Sequence, residues 1–344
     1  MEKQYTRETL LTTVTELQKK LGSSTLCTID TRPAEDYAEG HIPGAAHFDL
    51  FGLSLIDTTD APLRAFMFMI HHVLELRGVS EAKEVIFYGE NSDMRAARGV
   101  WFLEYYGHPK VNMLDGGFKA WQAARAPVTT EGGAPKEAKF KIAEKREVLA
   151  TADDVLQSLN KKEIAILDTR SEGEYLGTHV RAARGGAIPG AIHIEWTDNL
   201  GADGKFKTDA ELRTMYSKAG ITPDKEVISY CQGGYRAAHS YVALRLLGFP
   251  KVRNYIGSWK EWSDRLDLPL EIPTKKRHDA SSARADEREE GAGLERGHAR
   301  PLTERSHNRS RRSTRFNRSN RLRRLNGAQW LNCLHALNTK PKAQ

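Results

Sequence analysis

Cysteine is scarce in this 344-residue chain: Cys27, Cys231 and Cys333 are the only three. They are odd in number, widely scattered and free of any Cys-x-x-Cys spacing. That pattern argues against a disulfide framework and against a zinc site, and it fits a reducing, cytoplasmic setting. Long apolar runs are also missing. None approaches the roughly 20 residues that a bilayer span requires, so no membrane association is expected. The amino-terminal stretch MEKQYTRETLLTTVTELQKK lacks the apolar core of a secretory signal and carries glutamates that transit peptides avoid. His179 and His239 have no partner at metal-ligand spacing, so no metal is expected; separately, no organic cofactor is expected.

Negative charge is short in one region only. Residues 275–344 hold 18 Lys and Arg against 7 Asp and Glu, an excess of +11 that leaves residues 1–274 at −4 of the formal +7. In the same region Leu, Val and Ile give way to Arg, Ser, Asn and Glu, a composition unable to bury enough apolar surface to offset chain entropy. A disordered basic tail is therefore expected there. Nucleic acid or an anionic membrane would suit such a tail and an out-of-frame read-through would also produce it, but a solvated tail is the favoured reading. Nucleic acid is not expected as a partner.

What is present is a long-period repeat. IDTRPAEDY at residues 29–37 returns as LDTRSEGEY at 167–175, IPGAAHF at 42–48 as IPGAIHI at 188–194, and GHPKVNMLDGGFKAW at 107–121 as GFPKVRNYIGSWKEW at 248–262. A spacing this long marks a duplicated domain rather than a solenoid. In each copy short apolar strands alternate with helical patterns, which predicts an α/β fold: a parallel sheet flanked by helices, with ligands at the carboxyl ends of the strands. The expected domains are 5–126 and 141–272, joined by a linker at 127–140 and followed by the tail at 275–344.

Cys231 stands where strand meets helix in the second copy, followed by Gln232, Gly233, Gly234, Tyr235 and Arg236. A free thiol is mostly protonated at neutral pH, so a nucleophilic cysteine needs its pKa depressed. A helix beginning at Arg236 or Ala237 supplies a positive dipole end. The two glycines can take positive φ and turn successive N–H groups inward as an anion-binding nest, and Arg236 adds a permanent charge. A buried, inert cysteine is the alternative, but a plain strand-to-helix turn requires neither the glycines nor the arginine.

These features together are specific. The Asp-Thr-Arg and Ile-Pro-Gly-Ala signatures of both halves, the six-residue loop Cys231–Arg236 and the Gly-x-Trp-x-x-Trp stretch Gly257–Trp262 resemble the tandem-domain sulfurtransferases of the rhodanese family over about residues 5–272. The resemblance implies an enzyme that moves a sulfane sulfur from a small anionic donor, through a Cys231 persulfide, to cyanide, a small thiol or a thioredoxin-like acceptor. It also implies basic residues just before the Pro-Gly turn that hold the donor, here Arg184 first and Arg181 second, with Arg236. The first copy has Gly89 in the place of Cys231 and a longer loop containing Glu90 and Asp93, so that domain is expected to be catalytically silent. Ala187 replaces a histidine common before Ile-Pro-Gly in this family, whereas His41 keeps it.

Arg236 favours a doubly charged donor, thiosulfate, over 3-mercaptopyruvate. Two readings of other classes remain: a phosphatase, disfavoured because the spacing is Cys-x4-Arg rather than Cys-x5-Arg, and a non-catalytic persulfide carrier or binding module. Asp30, Arg32, Asp168 and Arg170 are expected to be structural and Trp121 and Trp262 to be core, while Trp196 and Trp259 could line the pocket or pack.

Overall fold

The computed structural model describes Tyr5, residues 10–133 and residues 135–275. The basic segment expected as a disordered tail lies outside the described residues, apart from Lys275. Within the described residues the repeat appears as two five-stranded, wholly parallel sheets. The first contains β1 (Leu11–Thr12), β2 (Leu26–Asp30), β3 (Ala46–His47), β4 (Glu84–Tyr88) and β5 (Val111–Leu114), in the order β1-β5-β4-β2-β3. The second contains β6 (Leu149–Ala150), β7 (Ile164–Asp168), β8 (Ile192–His193), β9 (Glu226–Tyr230) and β10 (Val252–Tyr255), in the order β6-β10-β9-β7-β8.

Helices cover the sheets. The first copy supplies α1 (Val14–Lys20), α2 (Ala34–Glu39), α3 (Asp60–Leu76), α4 (Met94–Tyr105) and α5 (Gly117–Ala123). The second supplies α6 (Ala152–Ser158), α7 (Glu172–Tyr175), α8 (Asp209–Lys218), α9 (Tyr235–Leu246) and α10 (Ser258–Asp264). Because helices flank the central strands, these are buried on both faces after their first residue and read as mostly apolar runs, VIFY and VISY, instead of alternating. Several helices start where the sequence places a cap: Thr13, Thr151 and Thr208 each accept the backbone N–H three residues on, and an acidic residue at that position reaches back.

The Asp-Thr-Arg signatures tie the central strands together. Asp168 forms a two-pronged pair with Arg170, whose Nη2 also donates to the Gly186 carbonyl at 2.7 Å. The Tyr230 hydroxyl at the end of β9 donates to Asp168 and receives the Ile188 N–H. In the first copy Asp30, Arg32 and Gly40 repeat the pattern, and Tyr88 receives the Ile42 N–H. This buried chemistry agrees with the structural role expected of the four residues. Trp121 and Trp262 are fully buried, as expected of core residues.

The 127–140 segment expected as a linker carries no helix among its described residues, but it is pinned to the first sheet's domain. Thr129 pairs with His41, Ala138 N–H donates to Glu75, and Phe140 packs on His71 and Tyr106. The two copies meet through α4 and α9, which pack against one another, each starting at the carboxyl end of its sheet's middle strand.

Candidate active site

Cys231 follows the last residue of β9 and is 1 % exposed. The turn behind it is set by Gly234, the N-cap of α9, at φ 84°. A Cβ there would come within 2.9 Å of the Ile256 carbonyl oxygen, so both the dihedral and the space call for glycine. Gly233 stays outside the left-handed region, so only one of the two glycines able to take positive φ does so. Its lack of a side chain serves close approach instead, since a Cβ would lie 2.9 Å from Ser54 Oγ of the first domain.

The Gly234 N–H donates to the Cys231 sulfur at 3.1 Å. Burial alone pushes a thiol's pKa up. Here Arg236 and the N–H groups of Ala237, Gly233 and Arg236 outweigh burial and hold the Cys231 thiol below the ordinary thiol range. The helix begins at Tyr235, ahead of the Arg236 or Ala237 start that the sequence suggests, and its first N–H groups act on the sulfur.

The loop is held from behind by the Gly-x-Trp-x-x-Trp stretch. Ser258 Oγ accepts the Cys231 N–H at 3.1 Å, Trp259 N–H donates to the Cys231 carbonyl at 2.8 Å and Lys260 N–H donates to the Gln232 carbonyl at 3.1 Å. Ser258 adopts φ 53° to do this, a strained value for a residue with a side chain. Trp259 itself is buried with Arg170 over its ring, whereas Trp196 lines the cleft. Gln232 Nε2 donates to the Arg181 carbonyl at 3.2 Å. The Tyr235 hydroxyl crosses to the first domain and donates to the Leu50 carbonyl at 2.6 Å.

Arg236 does not stand alone. Its two terminal nitrogens grip both oxygens of Glu174 at 2.6 and 2.9 Å, and Arg181 lies 3.5 Å from the same carboxylate. Burial would push Glu174 up, but Arg236 and the Ser171 cap prevail and pull it down to about 2. Glu174 is absent from the sequence-based set because its partner lies 62 positions away.

Arg184 must be corrected as a donor-binding residue. Its guanidinium donates to the carbonyls of Trp262, Ser263, Arg265 and Leu268 at 2.7 to 3.0 Å. The last carbonyls of a helix lack intrahelical partners, and Arg184 caps those at the carboxyl end of α10. Arg181, ranked second in the sequence, is the one that faces the cleft.

That cleft has a volume of about 570 Å³ and lies between the two copies. Phe51, Ile56 and Met94 wall it from the first copy, and Cys231, Arg181, Arg236 and Lys260 from the second. Phe51 and Ile56 are 53 % and 58 % exposed, so the rim is apolar on one side and cationic on the other. Among the described residues no cluster of His, Cys, Asp or Glu could hold a metal, and no helix is long and apolar enough to cross a membrane.

The first copy repeats this frame with different contents. Phe118 and Lys119 donate to the carbonyls of Gly89 and Glu90, matching Trp259 and Lys260. The inward N–H groups of Glu90, Arg95 and Ala96 are taken by the Asp93 carboxylate at 2.9 to 3.2 Å. A Cβ on Gly89 would fall 2.1 Å from Asp93 Oδ2, so the space a cysteine side chain would need is already filled by a built-in anion. Glu90 instead points outward towards Arg32 and Lys119. Asp93→Ala should cost about 1 to 2 kcal/mol by removing the α4 N-cap and leave sulfur transfer unaltered, as read by thermal unfolding beside a turnover assay.

Comparison with known proteins matches this architecture. The family model described as the rhodanese-like domain matches residues 13–124 and again 151–265. Thiosulfate sulfurtransferase of Azotobacter vinelandii is 33% identical over 257 residues, covering 75% of this chain and 95% of that protein. The sulfur carrier protein TtuD of Thermus thermophilus is 36% identical over 249 residues, covering 68% and 86%. Among solved structures, the anaerobic ergothioneine biosynthesis enzyme from Chlorobium limicola superimposes with a TM-score of 0.66 at 23% identity, covering 73% of this chain and 65% of that one, a likeness of fold alone. Two matched domains and relatives aligned over nearly their whole length place the chain in the rhodanese family, as a tandem-domain sulfurtransferase.

Proposed function

We propose that this sulfurtransferase works through Cys231 as nucleophile, with thiosulfate as donor. The observation that carries the reading is the Cys231 sulfur receiving the Gly234 N–H at the amino end of α9, with Arg236 alongside, at the floor of a cleft with a cationic wall. The thiolate attacks the outer sulfur of thiosulfate. A new S–S bond forms, the donor's S–S bond breaks, and sulfite leaves with the electron pair. The persulfide left on Cys231 carries one negative charge, which the same N–H groups and Arg236 stabilise. An acceptor nucleophile, cyanide or a thiolate such as that of a small thiol or a thioredoxin-like protein, then attacks the outer sulfur and releases the Cys231 thiolate. The first domain is catalytically silent and forms the opposite wall. Arg181 and Arg236 orient the anionic donor, and Gln232 and Tyr235 hold the loop's two ends.

Thiosulfate is favoured over 3-mercaptopyruvate because Arg181, Arg236 and Lys260 put three cations on one cleft against two paired carboxylates, Glu174 and Asp264, and the Azotobacter relative bears that donor in its name. Kinetic comparison of the two donors on the full chain tests this: kcat/KM should be higher for thiosulfate, and a higher value for 3-mercaptopyruvate would overturn the assignment. A persulfide carrier is the second reading, favoured by the exposed Phe51 and Ile56 at the cleft rim and by the sulfur-carrier name of the Thermus relative. Steady turnover to cyanide supports the enzyme; a single stoichiometric transfer supports the carrier.

A further inference from the structure

The two copies exchange one side chain each across the α4–α9 contact. Asp93 and Gly234 are the N-caps of these helices, and the fifth residue after each cap is Arg98 in α4 and His239 in α9. Each reaches the other copy's loop. His239 is satisfied there: Nε2 donates to the Ser92 carbonyl at 2.8 Å, and burial draws its pKa down to about 3, so it carries no charge.

Arg98 is the opposite case. It is 0 % exposed, its guanidinium lies 3.7 Å from the centre of the Tyr235 ring, and none of its three side-chain nitrogens has a hydrogen-bond partner among the described residues. No carboxylate pairs with it among the described residues, and the one polar side-chain atom facing it is the Tyr235 hydroxyl oxygen, whose own proton goes to the Leu50 carbonyl. A guanidinium stays charged at neutral pH, and a buried charge without a partner is strongly unfavourable. Methionine would fill the same space without that penalty. A cation retained here therefore needs an anion, and the ring it covers belongs to Tyr235 of the Cys231–Arg236 loop, where the Cys231 sulfur is the group that becomes anionic.

We propose that Arg98, supplied by the domain whose loop carries Gly89 in place of the cysteine, is a positioning residue whose otherwise unpaired charge behind Tyr235 stabilises the Cys231 thiolate and persulfide. The copy without a nucleophile in its loop thus has an electrostatic part in the reaction. This deepens the reading of Cys231 as nucleophile and rests on it. The other ionisable groups around the sulfur are Arg236 on α9 with Glu174 on α7, Arg181 ahead of the Pro-Gly turn and Lys260 on α10, and the test leaves all of them in place.

The test is the pH dependence of Cys231 alkylation by iodoacetamide in full-length R98M, R98Q and R98K, with peptide mass analysis separating Cys231 from Cys27 and Cys333. In R98M and R98Q the midpoint should rise by about one pH unit, a roughly tenfold slower alkylation below it. R98K should restore most of the loss, and the melting temperature of R98M should not fall. Profiles of R98M or R98Q that superimpose on the wild type would overturn the proposal and leave Arg98 a packing residue; should R98M not fold, R98Q and R98K give the same reading. Failure of the nucleophile assignment would show separately, as wild-type protein that gains no sulfur from thiosulfate.

Discussion

Cys231→Ser should reduce sulfur transfer from thiosulfate to cyanide by roughly a thousandfold or more, to background. Serine keeps the size of the side chain and the Gly234 N–H contact but replaces a polarisable, ionisable sulfur with an alcohol that stays protonated at neutral pH, so no S–S bond can form. The fold should be undisturbed, because the loop is fixed by backbone contacts to Ser258, Trp259 and Lys260 and not by the thiol. Turnover assays beside circular dichroism read both effects. Residual turnover above a few per cent in the serine variant would transfer the chemistry elsewhere.

The second large effect is expected from Arg236→Met. Arg236 is the charge that most lowers the Cys231 thiol, and it also holds Glu174, whose side chain is 3 % exposed. Its removal should raise the thiol midpoint by about one to three pH units and slow sulfur transfer about tenfold to a thousandfold at neutral pH. It also takes from a buried carboxylate its strongest partner and leaves only Arg181 and the Ser171 cap, a loss of about 1 to 3 kcal/mol. The two effects separate in the double variant with Glu174→Gln, which should recover stability but not thiol reactivity. The sign with pH follows from the carboxylate. Its depressed pKa means the pair stabilises the wild type fully above the ordinary glutamate range, and that contribution disappears as pH falls towards about 2. Denaturant titrations of both variants measure this; an R236M protein as stable as the wild type, with an unshifted thiol, would contradict the account.

Much of this frame was legible in the sequence because it is local or repeated. Strand, glycine turn and helix follow one another within Val227–Leu246, and the 29–37 and 167–175 matches announce two copies of one parallel sheet. Gly89 in the place of Cys231 could be read directly, whereas of the two acidic residues in that loop only Asp93 fills the space and Glu90 turns away. What stayed hidden depends on distance along the chain. Proximity to the Pro-Gly turn made Arg184 look like a donor ligand, yet only the fold shows that the carboxyl end of α10 lies within its reach. Glu174 and Arg98 had no sequence signal at all, since their meaning comes from Arg236 and Tyr235 far downstream. Gly233 was misread for a related reason: glycine serves positive φ and close approach alike, and the Ser54 contact decides between them.

The central claim is that one sulfur, kept anionic at the amino end of α9, accepts a second sulfur atom. Intact-protein and peptide mass analysis after brief treatment with thiosulfate tests it most directly. The account predicts a gain of one sulfur atom confined to the peptide carrying Cys231, discharged by cyanide. An unchanged mass at that peptide, or added sulfur that cyanide does not remove, would contradict it.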